Sequence, residues 1–267
     1  MPFFLGVGLT IVFVISAVAG PMIYTVDPDA QSLLAALQPP GSGNPLGTDQ
    51  FGRDVLARVL HGARYSSGIA VSIVGLSLAT GIVLAGISLW TGGAIASGLT
   101  LFADAVYATP GLLVVLMIAG VTGGGAVTLV LLLWFVKWPE YYRLANATGR
   151  RIASSDHVLA SRLAGTSSFA IFRLQILPVM LPYLVGIGAL SVGQTVLSIA
   201  TLGFLGIGIS PPQAEWGTMI NELRFHWQST PVQLAAPILA VIWIVLSLLI
   251  LSQSLSGRQG MIDDAFS

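Results

Sequence analysis

The sequence has no cysteine and very little charge. Its 267 residues include eleven basic and eleven acidic side chains, 8% in all, against 55% hydrophobic positions, whereas soluble domains carry about 25% charged residues. Without cysteine there is no disulfide, no thiolate metal site and no cysteine nucleophile. Scarce, balanced charge lacks the basic stripe of a nucleic-acid binder, so nucleic acid is not an expected partner. Lysine occurs once, as Lys137, which rules out a G-x-x-x-x-G-K-[ST] phosphate loop. His61, His157 and His226 show no metal-ligand spacing, and no serine stands in a G-x-S-x-G elbow. No metal site and no catalytic residues are expected.

Long apolar runs fill the space that charge leaves. Charge-free stretches cover 2–26, 65–103, 105–136, 174–214 and 225–257, and each exceeds the ~20 residues that span hydrocarbon. The second is too long for one helix, and Thr91-Gly92-Gly93 followed by Ser97-Gly98 predicts a turn within it. The chain therefore reads as an all-α membrane protein with six transmembrane helices, at roughly 3–26, 66–90, 99–121, 126–148, 179–202 and 233–254. Ala17-Val18-Ala19 resembles a signal-peptidase site, but no basic segment precedes it and the apolar run is longer than a signal core, so the first helix reads as uncleaved.

Arginine sets the expected orientation, because cytoplasmic loops retain cations. Residues 143–173 hold five arginines and one acid, Asp156. That connection is expected in the cytoplasm, and with six crossings both termini are too. Residues 27–64 and 210–232 carry balanced charge and are expected on the other side. The parse is a first transmembrane helix (1–26), an extracytoplasmic loop (27–64), a five-helix core (65–254) containing a cytoplasmic loop (149–177), and a cytoplasmic tail (255–267).

The cytoplasmic loop has helical grammar of its own. Ser154 and Ser155 suit an N-cap, Asp156 suits a first turn, and Gly165 suits a left-handed C-terminal stop. Between them, Val158, Leu159, Arg162 and Leu163 gather apolar surface and one cation on one side. An exposed amphipathic helix of this kind needs a protein groove or the bilayer surface.

These residues resemble the inner-membrane permease subunits of binding-protein-dependent ABC importers, in the peptide and nickel branch. The family's E-A-A-x-x-x-G signature is met by Leu159-Ala160-Ser161-Arg162-Leu163-Ala164-Gly165, and its later I-L-P by Ile176-Leu177-Pro178. Leu159 replaces the acidic position and Ser161 the second alanine. Asn44-Pro45-Leu46-Gly47-Thr48-Asp49-Gln50-Phe51-Gly52-Arg53-Asp54-Val55-Leu56-Ala57-Arg58, closing with Gly62-Ala63-Arg64, resembles the segment after the first helix. Gly203-Phe204-Leu205-Gly206-Ile207-Gly208-Ile209, Pro211-Pro212 and Glu215-Trp216-Gly217 resemble the segment after the fifth. Ala96 and Leu101 stand where the family usually has aspartate and arginine, while Asp104 and Pro110 are kept.

The resemblance implies a type I ABC importer permease in a bacterial inner membrane. It also implies a homologous permease partner forming a heterodimer, two ATPase subunits or domains that bind ATP and Mg, and an extracytoplasmic solute-binding protein. Asp156, Val158, Leu159, Ala160, Ser161, Arg162, Leu163 and Gly165 would couple to the ATPase, with Gly149 and Pro178 as hinges. Asp49, Arg53, Asp54, Glu215 and Trp216 would serve the binding-protein side. The solute would be nickel, another metal chelate or a di- or oligopeptide, with Val158 to Leu163 and Glu215 to Asn221 leaning toward nickel-type members.

Two residue readings do not depend on the resemblance. Lys137 and Glu140 are three apart and able to face each other on the fourth crossing, either as a neutralising pair or as pathway groups for a zwitterionic solute. Asp104, placed near the start of the third crossing, would reach the interface or cap the helix. Two rival classes remain. An ion-driven secondary transporter would show inverted repeats, and a membrane-embedded enzyme would gather catalytic groups at one depth; the sequence shows neither pattern.

Overall fold

A computed structural model describes residues 2–41 and 43–265, and the side chains of residues 4–41 and 43–253. Ten α-helices follow in order: α1 (Pro2–Ile23), α2 (Val55–Thr91), α3 (Gly93–Tyr107), α4 (Gly111–Thr122), α5 (Ala126–Ala153), α6 (Asp156–Leu163), α7 (Ser168–Ile171), α8 (Leu177–Phe204), α9 (Trp216–Leu223) and α10 (Pro231–Ala265). Among the described residues no strand forms beyond an isolated bridge between Thr48 and Asp54. The expected tail is continuous with α10 as far as Ala265; residues 266–267 lie outside the described residues.

Four helical stretches are long and apolar enough to cross a membrane: Phe4–Ile23, Val55–Thr91, Ser168–Phe204 and Pro231–Gln253. The pair α3 and α4, bent by 75°, makes a fifth if it counts as one span. At 28 residues α5 is about 42 Å long, but Lys137, Glu140 and Arg143 interrupt its apolar run.

The boundaries shift from expectation for local reasons. The chain breaks at Gly92 and Gly93, whose φ values of 61° and 52° suit residues without a Cβ. α2 begins at Val55 rather than near 66, because Asp54 Oδ1 accepts the Ala57 amide at 2.7 Å and caps the helix while Arg58 is buried by partners. α3 ends at Tyr107, so Asp104 lies in its last turn and not near its start. Pro110 stands at the bend between α3 and α4, whereas Pro139 and Pro182 sit inside continuous helices.

The chain packs as two compact units, residues 1–71, 116–129 and 190–267 in one and 72–115 and 130–189 in the other. In the first, α1 lies along α10 so closely that a Cβ on Gly6 would come within 2.7 Å of the Leu251 nitrogen. Phe13 of α1 meets Trp216 and Trp243 edge-on, with ring centroids 6.2 and 6.5 Å apart. In the second, Trp138, Tyr142, Met180 and Leu184 close over Ala85, Ala103 and Ala145, small residues that let helices approach in an apolar medium. Ile11, Ile15 and Val18 on α1 and Leu239, Ile242 and Leu246 on α10 are left exposed, as suits a surface solvated by lipid.

Candidate functional site

The segment 149–178 builds a short exposed helix on a fixed base. Ser155 takes the extended N-cap conformation of α6, but its hydroxyl donates back to the Ile152 carbonyl at 2.6 Å and caps no amide. The other end closes in a full Schellman motif. Gly165, at φ 82°, donates to the Arg162 carbonyl, and the Thr166 amide donates to the Ser161 carbonyl, both at 3.0 Å. Asp156 stands in the first turn and Arg162 in the last, each complementing the helix dipole.

Burial divides the four residues grouped by sequence. Val158 is fully buried against Ile171 and Ile176, so it anchors α6 and does not belong to its free surface. Leu159 is 45% exposed and Leu163 91% exposed, and Ala160 and Arg162 are also open. Ser161 accepts the Gln175 amide at 2.9 Å and ties α6 to the segment leading into α8.

That segment contains a π-helical turn, Phe172–Ile176, in which the Leu177 amide donates to the Phe172 carbonyl five residues back. Pro178 follows directly and has no amide to continue the ordinary ladder. Gly149 lies in the last turns of α5, where an added Cβ would collide with the Leu89 side chain and touch Ile176 at 3.6 Å. Both expected hinge positions thus adjoin the base of α6.

In the other unit, the loops before α2 and after α8 are joined by buried charge. Asp49 accepts the amides of Phe51 and Arg53 and holds Arg53 Nε at 2.6 Å. Arg53 Nη2 donates to Glu222 at 2.7 Å. Arg58 reaches Asp29 and the Pro28 and Pro212 carbonyls at 3.2–3.3 Å. Tyr24 donates to Asp54 at 2.9 Å; burial and the Asp54 carboxylate push its hydroxyl up to about 12, so it remains a donor.

Glu215 is fully buried and caps α9, accepting the Gly217 and Thr218 amides at 2.8 Å and the Thr218 hydroxyl at 3.1 Å. Burial raises its pKa despite these donors. Trp216, also buried, donates through Nε1 to the Val59 carbonyl at 3.1 Å. Of the five residues expected on the binding-protein side, Asp49 and Arg53 pair with each other, Asp54 accepts from Tyr24, and Glu215 and Trp216 hold the start of α9. Sequence reasoning gave Arg58 no role beyond its place in the matched segment and missed Glu222 and Tyr24; the available signal was that buried aspartates and arginines need partners.

Lys137 and Glu140 are each half-buried on α5, and no ion pair within 4.0 Å joins them among the described residues. The ion pair in that unit is Arg143 with Asp104, at 3.7 Å. No cluster of three or more metal-ligating side chains occurs among the described residues.

Comparison with known proteins places these features in context. The family described as "Binding-protein-dependent transport system inner membrane component" matches residues 77–259. The dipeptide transport system permease protein DppC of Haemophilus influenzae is 33% identical, over 90% of this chain and 84% of that protein. The nickel transport system permease protein NikC of Escherichia coli K12 is 31% identical, over 80% and 78%. In fold, the chain is similar to one from the MetNI methionine ABC transporter in inward-facing conformations, with a TM-score of 0.51 and 17% identity over 71% of this chain and 94% of that one.

Proposed function

This chain belongs to the inner membrane components of binding-protein-dependent transport systems, and from that premise we propose that it forms half of an ATP-driven uptake path with a second, homologous permease. It is a multi-pass membrane permease subunit and not an enzyme. Two separate ATPase subunits or domains bind ATP and Mg and supply the work, and an extracytoplasmic binding protein delivers the solute. The solute is a small peptide or a metal chelate, in keeping with dipeptide and nickel permeases among the relatives.

The observation that carries this reading is α6. It is closed at its C-terminal end, anchored through Val158, and yet presents Leu159 and Leu163 outward, an apolar surface left open among the described residues. An ATPase cleft that receives this knob and closes on nucleotide binding would move it as a rigid lever, with Gly149 and Pro178 at the pivots. Arginine bias in 143–173 favours a cytoplasmic lever, and six crossings, with α5 counted beside the five apolar spans, would bring both termini to the same side. The segments around Arg53 and Glu215 face the binding protein, and the chain divides into a first crossing in α1, a loop that ends where α2 begins at Val55, a core, and a tail continuous with α10.

Uptake into proteoliposomes containing this chain, its partner permease and the ATPases tests the reading. Solute should enter only with ATP inside the compartment that holds the ATPases. Uptake by this chain alone, or uptake driven by an ion gradient, would overturn it.

A further inference from the structure

A polar furrow runs along α3 in the second unit. Two adjoining hollows of about 630 and 670 Å³ share Ala96, Ser97 and Arg150 as walls. The first opens beside Leu159 and Arg162 of α6, and the second ends at Asp104 and Arg143. From Gly92 to Asp104 the floor covers about 18 Å of helix, roughly half of a bilayer's hydrocarbon core.

The wall is organised by hydrogen bonds. Thr100 and Tyr142 share one at 2.9 Å, Tyr142 donates to Ser88 at 3.3 Å, Ser88 donates to Asn146 at 3.5 Å, and Arg150 Nε donates to the same Asn146 oxygen at 3.3 Å. A surface this polar is costly against lipid, so it faces water or protein. Its charge is also unspent. Arg143 and Asp104 stand 3.7 Å apart with both side chains 50% exposed, and Arg143 lies over the Tyr107 ring at 4.7 Å. Among the described residues no carboxylate comes within 4.0 Å of Arg150 or Arg162. Three cations therefore line the furrow against one acid.

Building on its role as a permease subunit, we infer that this furrow is the inner half of the solute path and that its cations select solutes bearing a free carboxylate. Arg162 and Arg150 draw the anionic group in at the mouth. The loose Asp104–Arg143 pair receives a zwitterion at the far end, ammonium to Asp104 and carboxylate to Arg143. A bare divalent cation meets a net positive charge, three arginines against Asp104, so a metal would pass only as a neutral or anionic chelate. Because Leu159 and Arg162 belong to α6, movement of that helix changes the mouth directly.

The absence of cysteine makes the test direct. Ala147→Cys and Leu101→Cys, both on the second hollow, are introduced singly into the complete complex with its partner permease and ATPases. Each is treated with an anionic and a cationic methanethiosulfonate of similar size, with rates normalised to those of a free thiol. The anionic reagent should react at least about tenfold faster, nucleotide should change the rate, and adding Arg143→Gln should reduce the preference at least threefold. Thiols that stay unreactive in every nucleotide state, or that favour the cationic reagent, would overturn the furrow assignment even if ATP-dependent uptake persists. Loss of ATP dependence in the unsubstituted complex would overturn the permease reading instead.

Discussion

Arg53 and Glu222, 169 positions apart in sequence, meet through an Nη2–Oε2 hydrogen bond of 2.7 Å, with the two side chains 1% and 15% exposed. Asp49 holds the other side of the same guanidinium at 2.6 Å. The pair fastens the loop before α2 to α9; Glu222 has Arg53 as its cation, while Asp49 also has Arg58 Nε at 3.7 Å.

Arg53→Met should destabilise the permease by about 3 kcal/mol, because the half-buried Glu222 loses its cation and the buried Asp49 keeps only the longer contact to Arg58. Glu222→Gln should cost about 1 kcal/mol, since an amide oxygen can still accept the bond. Thermal unfolding of the purified complex ranks the two variants. Equal effects would mean that the guanidinium contributes packing only.

Glu215 gives stability a pH dependence whose sign follows from its raised pKa. Between the ordinary carboxylate value, about 4.3, and the raised native value, the folded state holds a proton that the unfolded chain has released, so stability falls as pH rises through that window. Glu215→Gln should remove a slope of up to about 1.4 kcal/mol per pH unit. The readout is the slope of the unfolding midpoint from acid toward neutral pH. The variant's overall loss of stability is separate, because the Gly217 and Thr218 amides donate to different carboxylate oxygens and the amide turns one of these into a donor.

Local signals were legible in the sequence, and distant ones were not. The turn at Gly92–Gly93 and the left-handed stop at Gly165 depend on residues within a few positions, and composition alone marks the apolar helices. The start of α2 was hidden because Arg58 and Arg64 end the charge-free run, although Arg58 is buried by partners far along the chain. Two turns of amphipathic pattern in α6 could not say which apolar residue faces inward; Ile171 and Ile176 decide that for Val158. For Asp104, its partner Arg143 lies on α5, 39 positions on, so sequence spacing pointed to the closer Lys137–Glu140 pair.

Leu163 and Val158 should fail in different ways. Leu163→Asp changes a 91% exposed side chain and should release the ATPase from the purified complex while leaving permease unfolding unchanged. Val158→Ala opens a cavity against Ile171 and Ile176 and should cost about 2 kcal/mol, with the ATPase still retained. Full coupling in Leu163→Asp would remove α6 as the docking element.

Lys137 has no carboxylate within 4.0 Å among the described residues, and it stands on a helix otherwise apolar from Ala126 to Val136. A cation at membrane depth costs about 2.5–3.5 kcal/mol to insert, and a residue kept for structure alone would be better as methionine. Lys137→Met should therefore stabilise the fold or leave it unchanged, and should alter solute range or the ATP consumed per solute by threefold or more if the ammonium lines the path. Changed expression with unaltered transport kinetics would assign Lys137 to assembly. Glu140→Gln, measured in parallel, shows whether the two residues act together: a shared role predicts that the double variant is no worse than Lys137→Met alone.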